Sequence, residues 1–510
     1  MRDVGQGTDG GVVRGGLLLM LAKVVHTIAG FGLYFFLSAI MDWSMGGAGI
    51  AAFGIYGTAL VVINPLNMMF AQGTLQLVSQ MVASHPGEPD AVFRACARLQ
   101  VPFALAFLAL FQLAVPSIAE HWLNDPAYEP ILRVGGLIPF FYAVRCLYQG
   151  YCNGTRRFRE QSWIDMGSST LRMGLVLTGA ALGYGALGAL MGFVAASAVM
   201  MVAAMIWIRP ARGGPAAALD VAQLLVFQGK ILAVTLVSFY LMSLDQLAVK
   251  ALADADPNVT NRLAGYYTGN LKIAQIPWGI ITAIVWVLFP LVAGGAGDRV
   301  RQRATLRQGF RLVLLLLAPV CVVLSTTAHE TYALVFAGNA MRAVSDFGDP
   351  LAVVSGPLEV LAVGYFIFGL LVVATMLITA QGRAGTSLLI MSATLALGLV
   401  FTRALVVEHG PVGAAAGSAL AWTLGLAAAA LVLARSFGAF VPGASLVRIA
   451  LASGAVWLAS LVIPGEGVAL LAKDALLAVV YGVAILLMRE VTLGEIREIL
   501  LAARTGRAAR

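Results

Sequence analysis

Residues 184–192 read Tyr-Gly-Ala-Leu-Gly-Ala-Leu-Met-Gly, and residues 409–417 read His-Gly-Pro-Val-Gly-Ala-Ala-Ala-Gly. Both contain the pattern Gly-x-x-Gly-Ala-x-x-Gly, and each copy opens a long apolar segment. Two copies so far apart predict two halves with one architecture, which is how many transporters build a central binding site. The alternative is that this spacing of small residues only marks membrane helices that pack closely.

The composition places the chain in a membrane. Of its 510 residues, 60% are hydrophobic and 11% are charged, and the mean hydropathy is +0.88. Soluble domains carry about 25% charged residues. The net charge of +8 would suggest nucleic acid for a soluble protein, but here the basic residues lie between apolar segments, and we expect no nucleic-acid partner. The polar residues 1–14 and the long apolar segment behind them lack the pattern of a cleaved signal peptide.

Fourteen apolar segments are long enough to cross a hydrocarbon core of about 30 Å. The predicted spans are 15–41, 47–83, 99–119, 131–151, 161–183, 186–208, 226–252, 263–293, 309–336, 357–380, 384–404, 411–434, 445–463 and 467–488. The second and the eighth are long enough to hold a tilted or broken helix. The expected fold is therefore an all-α, multi-pass membrane protein.

Alternate connections between these spans are rich in arginine, for example the segment that holds Arg299, Arg301 and Arg303, whereas the others are acidic or neutral. Basic loops stay in the cytoplasm, so both termini are predicted to lie inside, and for a bacterial protein the membrane is the cytoplasmic (inner) one. The predicted organisation is a cytoplasmic N-terminus (1–14), an N-lobe of spans 1–6 (15–210), a C-lobe of spans 7–12 (211–435), spans 13 and 14 (436–488) and a basic cytoplasmic tail (489–510).

Further pairs of matched features support the repeat. Span 2 begins Gly54-Ile55-Tyr56 and reaches Asn64-Pro65, while span 8 begins Gly265-Tyr266-Tyr267 and reaches Gln275-Ile276-Pro277. Six spans per half, both starting inside, predict a parallel repeat about an axis along the membrane normal. Pro65 and Pro277 each remove a helical hydrogen bond, so they are predicted hinges, with a static kink as the equal alternative.

The sequence contains no pattern that is typical of an enzyme. Candidate nucleophiles lack a paired histidine, and neither a zinc-protease HExxH nor a phosphate-binding GxxxxGK[ST] occurs. The four cysteines have no metal-ligand spacing. We therefore expect no enzyme activity, no metal site and no cofactor. We expect transport to be driven by an ion gradient or by the gradient of the substrate itself, unless a partner protein hydrolyses ATP.

Charged residues deep in the predicted spans are the best pointers to a substrate. A charge at the bilayer centre costs at least about 2.5–3.5 kcal/mol and therefore faces a cavity or a partner. The deep set is mainly basic, which favours an anionic ligand. Its members, predicted to bind the substrate, are Lys23 in span 1, Arg145 in span 4, Arg172 in span 5 and Lys272 in span 8.

Simpler roles remain open for several of these residues. Arg172 could pair with Asp165, seven residues earlier on one helix face, and merely lock helices together. Arg145 could reach the inner interface. Asp245 and His26 are candidates for coupling to an ion, but Asp245 could instead pair with a lysine, and a lone histidine such as His26 is more often simply packed or hydrogen-bonded.

At these residues the chain resembles the Wzx-type polysaccharide flippases of the MOP (multidrug/oligosaccharidyl-lipid/polysaccharide) exporter superfamily. The resemblance covers spans 1–12 and rests on short motifs: Asp245-Gln246, the stretch from Gly265 to Ile273, Phe289-Pro290-Leu291, and Ile138 to Gly150 followed by Gly154 and Arg156. The last two spans depart from the usual twelve and are similar to those of the related lipid II flippases, which leaves the saccharide open.

The resemblance implies two lobes with a central cavity and alternating access. It also implies as substrate an undecaprenyl-diphosphate-linked oligosaccharide, flipped from the inner to the outer leaflet, with Lys23, Arg145, Arg172 and Lys272 at its headgroup. Membrane lipid, Na⁺ or H⁺, a polysaccharide polymerase and glycosyltransferases are the expected partners. A multidrug and toxin extrusion (MATE) antiporter, a lipid II flippase and a non-transporting scaffold for a synthase complex are the alternatives.

Overall fold

The computed structural model of the chain describes residues 9–210, 217, 220–277, 279, 281, 299–347, 351–437 and 443–492. These residues are almost entirely helical, and no strand occurs among them. Three parts of the sequence predictions lie outside the described residues: the start of the N-terminal segment, the second half of predicted span 8 and the tail beyond residue 492.

The chain divides into two compact units, Met1–Thr268 and Gly269–Arg510. The predicted N-lobe and C-lobe, 15–210 and 211–435, stay a prediction, because a division by compactness does not test an internal repeat.

The described residues of the first unit form nine α-helices and most of a tenth. They are α1 (Asp9–Met45), α2 (Gly49–Ser84), α3 (Pro89–Ser117), α4 (Tyr128–Gly135), α5 (Leu137–Gly154), α6 (Phe158–Gly179), α7 (Gly185–Trp207), α8 (Val221–Leu241), α9 (Leu244–Leu252) and α10 (Pro257–Ala274). Short irregular helical turns, Gly46–Ala48 and Ala180–Tyr184, join α1 to α2 and α6 to α7. The helices α1, α5, α6 and α7 pack on one another, and their contacts position the residues discussed below.

The described part of the second unit continues the helical bundle. Its helices are α11 (Arg299–Thr326), α12 (Ala328–Val335), α13 (Ala337–Phe347), α14 (Gly356–Ala380), α15 (Ala384–Phe437), α16 (Gly443–Val462) and α17 (Ala469–Leu487).

Ten helical stretches of the described chain are long and apolar enough to cross a membrane. Three of them, Leu21–Ser84, Phe158–Trp207 and Ala384–Ser436, have 50 to 64 residues. At 1.5 Å per residue, a helix of 50 residues would be about 75 Å long, more than twice the thickness of the hydrocarbon core. Each is therefore two spans joined by a tight turn, in agreement with the predicted many-span, all-α fold.

The glycine motifs form two of these turns. Gly185 has φ 54° and ψ −133°, and Gly410 has φ 55° and ψ −138°. Only glycine adopts this conformation readily, because a Cβ atom would clash with the backbone. The first glycine of each motif therefore reverses the chain and begins a new helix in the same way, as expected for two copies of one structure.

The later glycines of each motif pack that new helix against the one before it. A Cβ atom on Gly188 or Gly192 would lie 2.3 Å and 2.1 Å from the carbonyl oxygens of Gly179 and Leu175. In the second copy a Cβ atom on Gly413 would lie 2.0 Å from the carbonyl oxygen of Leu405. The motif thus marks close helix packing at both places, and the internal repeat stays a prediction that the matched turns support.

Two predicted spans are broken where the sequence analysis had one helix. Span 4 divides into α4 and α5 at Gly136, three residues before Pro139, which lacks the N–H that would bond to the Gly135 carbonyl. Span 7 divides into α8 and α9 at residues 242–243. In the first turn of α9 the Asp245 carboxylate accepts the backbone N–H of Gln246, 2.9 Å away, which has no partner within the helix.

The two predicted hinges differ in their surroundings. Pro65 is buried inside α2, which continues on both sides of it. The helix α10 ends at Ala274, and residues 275–277, which end with Pro277, form a turn. A hinge motion at either proline stays a prediction.

Candidate functional site

Three of the four predicted substrate-binding cations come together in the first unit. Lys23 comes from α1, Arg145 from α5 and Arg172 from α6, and the charges of all three act on His26 of α1. The predicted spans place Arg172 about 16 Å from the inner end of span 5, at 1.5 Å per residue, and Arg145 nearer that end of span 4. We call Lys23, His26, Arg145 and Arg172 the cationic cluster.

The guanidinium of Arg145 lies in a nearly dry environment. The residue is 5% exposed, its carbon Cζ lies 4.0 Å from the centre of the Tyr142 ring, and its Nη1 donates to the hydroxyl of Ser168. Its Nε is buried and has no hydrogen-bond partner among the described residues. The aromatic face and a single hydroxyl thus stabilise the charge of the guanidinium. Part of the hydrogen-bonding capacity of this group stays unused.

Arg172 is held by an aromatic ring in the same way. Its Cζ lies 5.3 Å from the centre of the Phe193 ring, and Phe193 packs edge-on against Tyr142 with the ring centres 6.1 Å apart. Two touching rings therefore hold two guanidinium groups, one on each. No described acidic side chain forms a salt bridge with either arginine, so their charges remain available to an anion.

The α1 members of the cluster are the accessible ones. The side chains of Lys23 and His26 are exposed, and that of Arg172 is partly exposed. Nδ1 of His26 lies 2.8 Å from the hydroxyl oxygen of Ser169, so the histidine is hydrogen-bonded to α6. A ligand that reached the cluster would meet Lys23, His26 and Arg172 first, with Arg145 behind them.

Asp165 does not neutralise the cluster by pairing with Arg172. Both residues belong to the described part of the chain, and their side chains form no ion pair there. Asp165 instead accepts a hydrogen bond from Nε2 of Gln149, at 2.6 Å. The suggestion that this pair merely locks helices together is therefore not supported by the geometry.

Lys272 belongs to the second unit. Its Nζ donates to Oε1 of Gln275 at 3.2 Å, and Nε2 of Gln275 donates to the hydroxyl of Tyr365 at 2.9 Å. The lysine is half-buried, and the short polar chain runs from α10 to α14. Its role in binding a substrate stays a prediction.

Asp245 is fully buried, at 0% exposure. Its Oδ2 accepts a hydrogen bond from the hydroxyl of Tyr267 at 2.8 Å, and its Oδ1 accepts the backbone N–H of Gln246. Both alternatives for Asp245, coupling to an ion and pairing with a lysine, stay predictions. A carboxylate at a break between two membrane helices is a common position for ion coordination in transporters.

The sequence analysis missed the aromatic and hydroxyl residues that hold the cluster. Tyr142 precedes Arg145 by three residues, and the run Ser168-Ser169-Thr170 stands in an otherwise apolar span. The i, i+3 spacing and this polar run are the signals that would have found them. Phe193 carried no signal, because nothing in the sequence separates it from other apolar residues of α7.

A second polar network was also missed. Nζ of Lys250 lies 3.0 Å from the Asp125 carboxylate and donates to the hydroxyl of Thr260. The same carboxylate accepts from Nδ2 of Asn261 at 3.1 Å, and Lys250 is 1% exposed. Asp125 stands in the connection between predicted spans 3 and 4, and its contacts join that loop to α9 and α10.

Comparisons with known proteins agree with this architecture. A family model described as "Polysaccharide biosynthesis protein" matches residues 49–344. Among solved structures, the lipid II flippase MurJ in an inward closed conformation is similar with a TM-score of 0.72 and 14% identity, over 92% of this chain and 98% of that one. No curated protein matches the sequence.

Two further solved structures are transporters of the MOP superfamily. An inward-facing multidrug resistance MATE transporter is similar with a TM-score of 0.63 and 15% identity, over 82% of this chain and 98% of that one. A MOP superfamily transporter from Pyrococcus furiosus, described as having a binding pocket of reverse polarity, is similar with a TM-score of 0.56 and 14% identity, over 86% of this chain and 95% of that one. At these identities the likeness shows the fold.

Proposed function

We propose, from the premise that the chain belongs to the polysaccharide biosynthesis protein family, that it flips an undecaprenyl-diphosphate-linked oligosaccharide across the membrane. The lipid would move from the inner to the outer leaflet of a bacterial cytoplasmic membrane by alternating access, with both termini in the cytoplasm. The many apolar spans and the MOP transporter fold support a membrane transporter.

The cationic cluster is the observation that carries this proposal. It gathers Lys23, Arg145 and Arg172 around one partly buried place, and Asp165, a carboxylate whose charge acts on Arg145, accepts a hydrogen bond from Gln149. Lysine and arginine make charge-assisted hydrogen bonds to phosphate oxygens, which are about twice as strong as neutral ones. A diphosphate carries enough negative charge to balance such a cluster, and a sugar or a neutral lipid does not.

The differences in exposure suggest a division of labour. Lys23 and Arg172 would contact the phosphates directly, since both are reachable. Arg145 would act from behind as a fixed charge, because Tyr142 and Ser168 hold its guanidinium. Lys272 would provide a further contact from the second unit, where Gln275 and Tyr365 orient it.

Coupling to an ion gradient is proposed for Asp245. Tyr267 and the N–H of Gln246 orient its carboxylate in a buried position, and either Na⁺ or H⁺ would compete there with the tyrosine hydroxyl. His26 is a second candidate, since it belongs to the cluster and is hydrogen-bonded to Ser169. A polymerase and glycosyltransferases would consume and supply the substrate, so they are the proposed partners.

A lipid II flippase is the second candidate, because the chain has the fold of MurJ over nearly its whole length. Its substrate also carries a diphosphate, so the cationic cluster suits both. A MATE-type antiporter fits the cluster less well. Exporters of cationic drugs need carboxylates in the binding site, and the cluster is mainly basic.

Binding of a prenyl diphosphate to the purified chain tests the proposal. The probe is farnesyl diphosphate, compared with farnesyl monophosphate, and thermophoresis measures the affinity. We expect the diphosphate to bind more tightly. Lys23→Ala and Arg172→Ala should each weaken it about tenfold or more, the loss of one hydrogen bond to a charged group of about 1.5–3 kcal/mol.

Arg133→Ala is the matched control, because Arg133 is an exposed arginine whose guanidinium pairs with Glu129 at 2.8 Å on the surface of α4. It should bind the diphosphate as the unmodified chain does. Equal affinity for the monophosphate and the diphosphate, or unchanged binding in both cluster variants, would refute a phosphate-binding role for the cluster.

A further inference from the structure

The second unit contains a basic pocket of about 500 Å³ that the transport proposal does not use. Arg307 and Arg311 line it from α11, Arg448 from α16, and Arg489 follows α17. Its remaining lining residues are Ala304, Gln308, Ala444, Ser445 and Glu490. The residues from α11 recur at intervals of three and four, so one face of that helix forms a wall of the pocket.

A single carboxylate partly balances these charges. Glu490 is 2% exposed and accepts from Nε of Arg311 at 2.8 Å and from Nη1 of Arg448 at 3.1 Å. Burial alone would raise the pKa of Glu490, but hydrogen bonds from Ser445, Arg311 and Arg448 outweigh burial and lower it. Glu490 is therefore ionised at neutral pH, and among the described residues that line the pocket it is the one acidic side chain beside four arginines.

Arg307 and Arg489 supply the excess. Both are exposed, and neither forms an ion pair with an acidic residue in the described part of the chain. Arg489 has φ 55°, and its N–H and that of Glu490 bond to the carbonyls of Leu486 and Ile485. These bonds form a Schellman cap, in which the left-handed residue is usually glycine. The chain thus holds an arginine, at a conformational cost, where glycine would fit better.

An apolar groove extends along the same two helices, and Val363, Phe366 and Leu370 of α14 also line it. It also has a volume of about 500 Å³ and is lined from α11 by Leu314, Ala318, Cys321, Val322, Ser325 and Thr326. From α16 it is lined by Leu446, Ile449, Ala450, Ser453, Gly454 and Trp457. Leu314 follows Arg311 by less than one turn, and Ile449 follows Arg448 directly, so the groove starts beside the arginines.

The groove is longer than one leaflet is thick. From Arg311 to Ser325 the helix α11 rises about 21 Å, at 1.5 Å per residue. Half of the hydrocarbon core is about 15 Å thick. The arginine-rich start of α11 belongs to a loop predicted to be cytoplasmic, so the part of the groove nearest the arginines lies in the cytoplasmic leaflet, and the groove continues past the middle of the bilayer.

We propose that the pocket and groove together bind an acidic phospholipid of the cytoplasmic leaflet. Arg307, Arg448 and Arg489 hold its phosphate, and an acyl chain lies in the groove between α11 and α16. Basic pockets between membrane helices on the cytoplasmic side are typical sites for acidic headgroups, and here the charge of the pocket and the apolar groove select the same molecule. The proposal does not depend on which substrate the chain carries.

Quenching of Trp457 by brominated lipid tests this site. Trp457 lines the groove and is half exposed, so bromine on an acyl chain in the groove should quench its fluorescence. The full-length chain is reconstituted in vesicles with brominated phosphatidylglycerol or brominated phosphatidylcholine. We expect phosphatidylglycerol to quench at an apparent concentration about tenfold lower. Trp457→Phe should remove this preference, which assigns the signal to the groove among the eight tryptophans.

Arg489→Gly separates a binding role from a structural one. Glycine suits the left-handed cap, so a merely structural Arg489 predicts an unchanged or more stable protein with unchanged quenching. The proposal predicts a stable protein whose preference for phosphatidylglycerol falls about tenfold, as expected for one lost charge-assisted hydrogen bond. Arg307→Gln should act alike, and the exposed Arg403 of α15 supplies the control, Arg403→Gln.

Competition identifies the source of the phosphate. Millimolar inorganic phosphate or pyrophosphate should leave the quenching by phosphatidylglycerol in place, and so should farnesyl diphosphate. Displacement by the inorganic ions would mean a site for free phosphate, and displacement by farnesyl diphosphate alone would mean a site for the transported lipid. Either result would overturn the proposal, as would equal quenching by the two phospholipids or full quenching in both arginine variants.

Discussion

Gly54 of α2 and Gly265 of α10 meet in a reciprocal contact. A Cβ atom on Gly54 would lie 2.0 Å from the carbonyl oxygen of Asn261, four residues before Gly265. A Cβ atom on Gly265 would lie 2.2 Å from the carbonyl oxygen of Ile50, four residues before Gly54. Each glycine therefore touches the corresponding atom of the other helix, which is the relation that a two-fold axis between two matched segments produces.

Alanine at Gly54 should destabilise the protein. A new Cβ atom there would overlap the backbone of α10, and overpacking of this kind costs about 1–3 kcal/mol. In an open helical site the same change gains about 1 kcal/mol from helix propensity. Thermal unfolding of the purified protein should show a lower midpoint for Gly54→Ala.

Gly30→Ala in α1 is the control for this contact, because nothing lies within 4 Å of a Cβ atom built on Gly30. Its midpoint should stay the same or rise. If both variants unfold at the temperature of the unmodified protein, the close contact between α2 and α10 does not exist.

The sequence predicted the members of this contact but not the contact itself. Gly-x-Tyr near the start of spans 2 and 8 identified Gly54 and Gly265 as corresponding residues, because a short motif is recognised when two stretches of sequence are compared. Their meeting depends on how two helices cross, which a sequence pattern of single helices does not contain. The same holds for Gly185 and Gly410, whose matched backbone angles need coordinates to be seen.

Removal of one partner from the buried pair of Lys250 and Asp125 should be costly. Lys250→Met leaves the Asp125 carboxylate buried without its cation, which typically costs about 3–5 kcal/mol. The variant should therefore unfold well below the unmodified protein. The double variant Lys250→Met/Asp125→Leu should recover part of the loss, because it leaves no uncompensated charge.

A double variant that is less stable than Lys250→Met would contradict this account. It would mean that Asp125 is needed chiefly for its bond to Asn261 and that the ion pair contributes little. The comparison needs chemical unfolding, in one detergent, of the unmodified protein, Lys250→Met, Asp125→Leu and the double variant.

Stability should depend on pH through Glu490. Its pKa is lower in the folded protein than the ordinary value of 4.5, so its contribution is complete above that value and is lost as the pH falls through the folded pKa. At pH 7 the free energy of unfolding of Glu490→Gln should therefore be lower by roughly 2 kcal/mol, because its hydrogen bonds to charged groups are weakened. The difference from the unmodified protein should shrink below about pH 4.

Melting curves at pH 7 and in acid provide the measurement, with Glu408→Gln as control, because Glu408 is an exposed carboxylate. A destabilisation of Glu490→Gln that is the same at both pH values would show that the ionised carboxylate is not what Arg311 and Arg448 require.

Loss of the exposed Lys23 or of the half-buried Lys272 should stop the proposed transport in cells. We expect Lys23→Ala and Lys272→Ala each to abolish surface polysaccharide, since each removes a proposed contact to the diphosphate, while the amount of protein in the membrane stays unchanged. Immunoblots of membranes and staining of the cell surface test this together. Normal polysaccharide in both variants would exclude these lysines from the substrate site.

The charged residues of the candidate site could be predicted from the sequence, but the residues that surround them could not. Lys23, Arg145 and Arg172 stand out because charge is rare in apolar spans, and the structure brings them together with His26. The rings of Tyr142 and Phe193 that hold the arginines belong to the apolar background of any membrane helix. The ion pair of Lys250 and Asp125 is hidden for another reason, since its members are 125 residues apart and only tertiary packing joins them.

The central claim is most directly tested by movement of an undecaprenyl-diphosphate-linked oligosaccharide in vesicles that contain only this protein. The lipid is placed in the inner leaflet, and a glycosidase outside reports each sugar that emerges. The account predicts that the unmodified protein exposes the sugar far faster than protein-free vesicles and that Arg172→Ala is slow. It also predicts that Arg133→Ala, at the exposed surface pair, is as fast as the unmodified protein. Exposure of the sugar no faster than in protein-free vesicles, under every ion gradient applied, would contradict it.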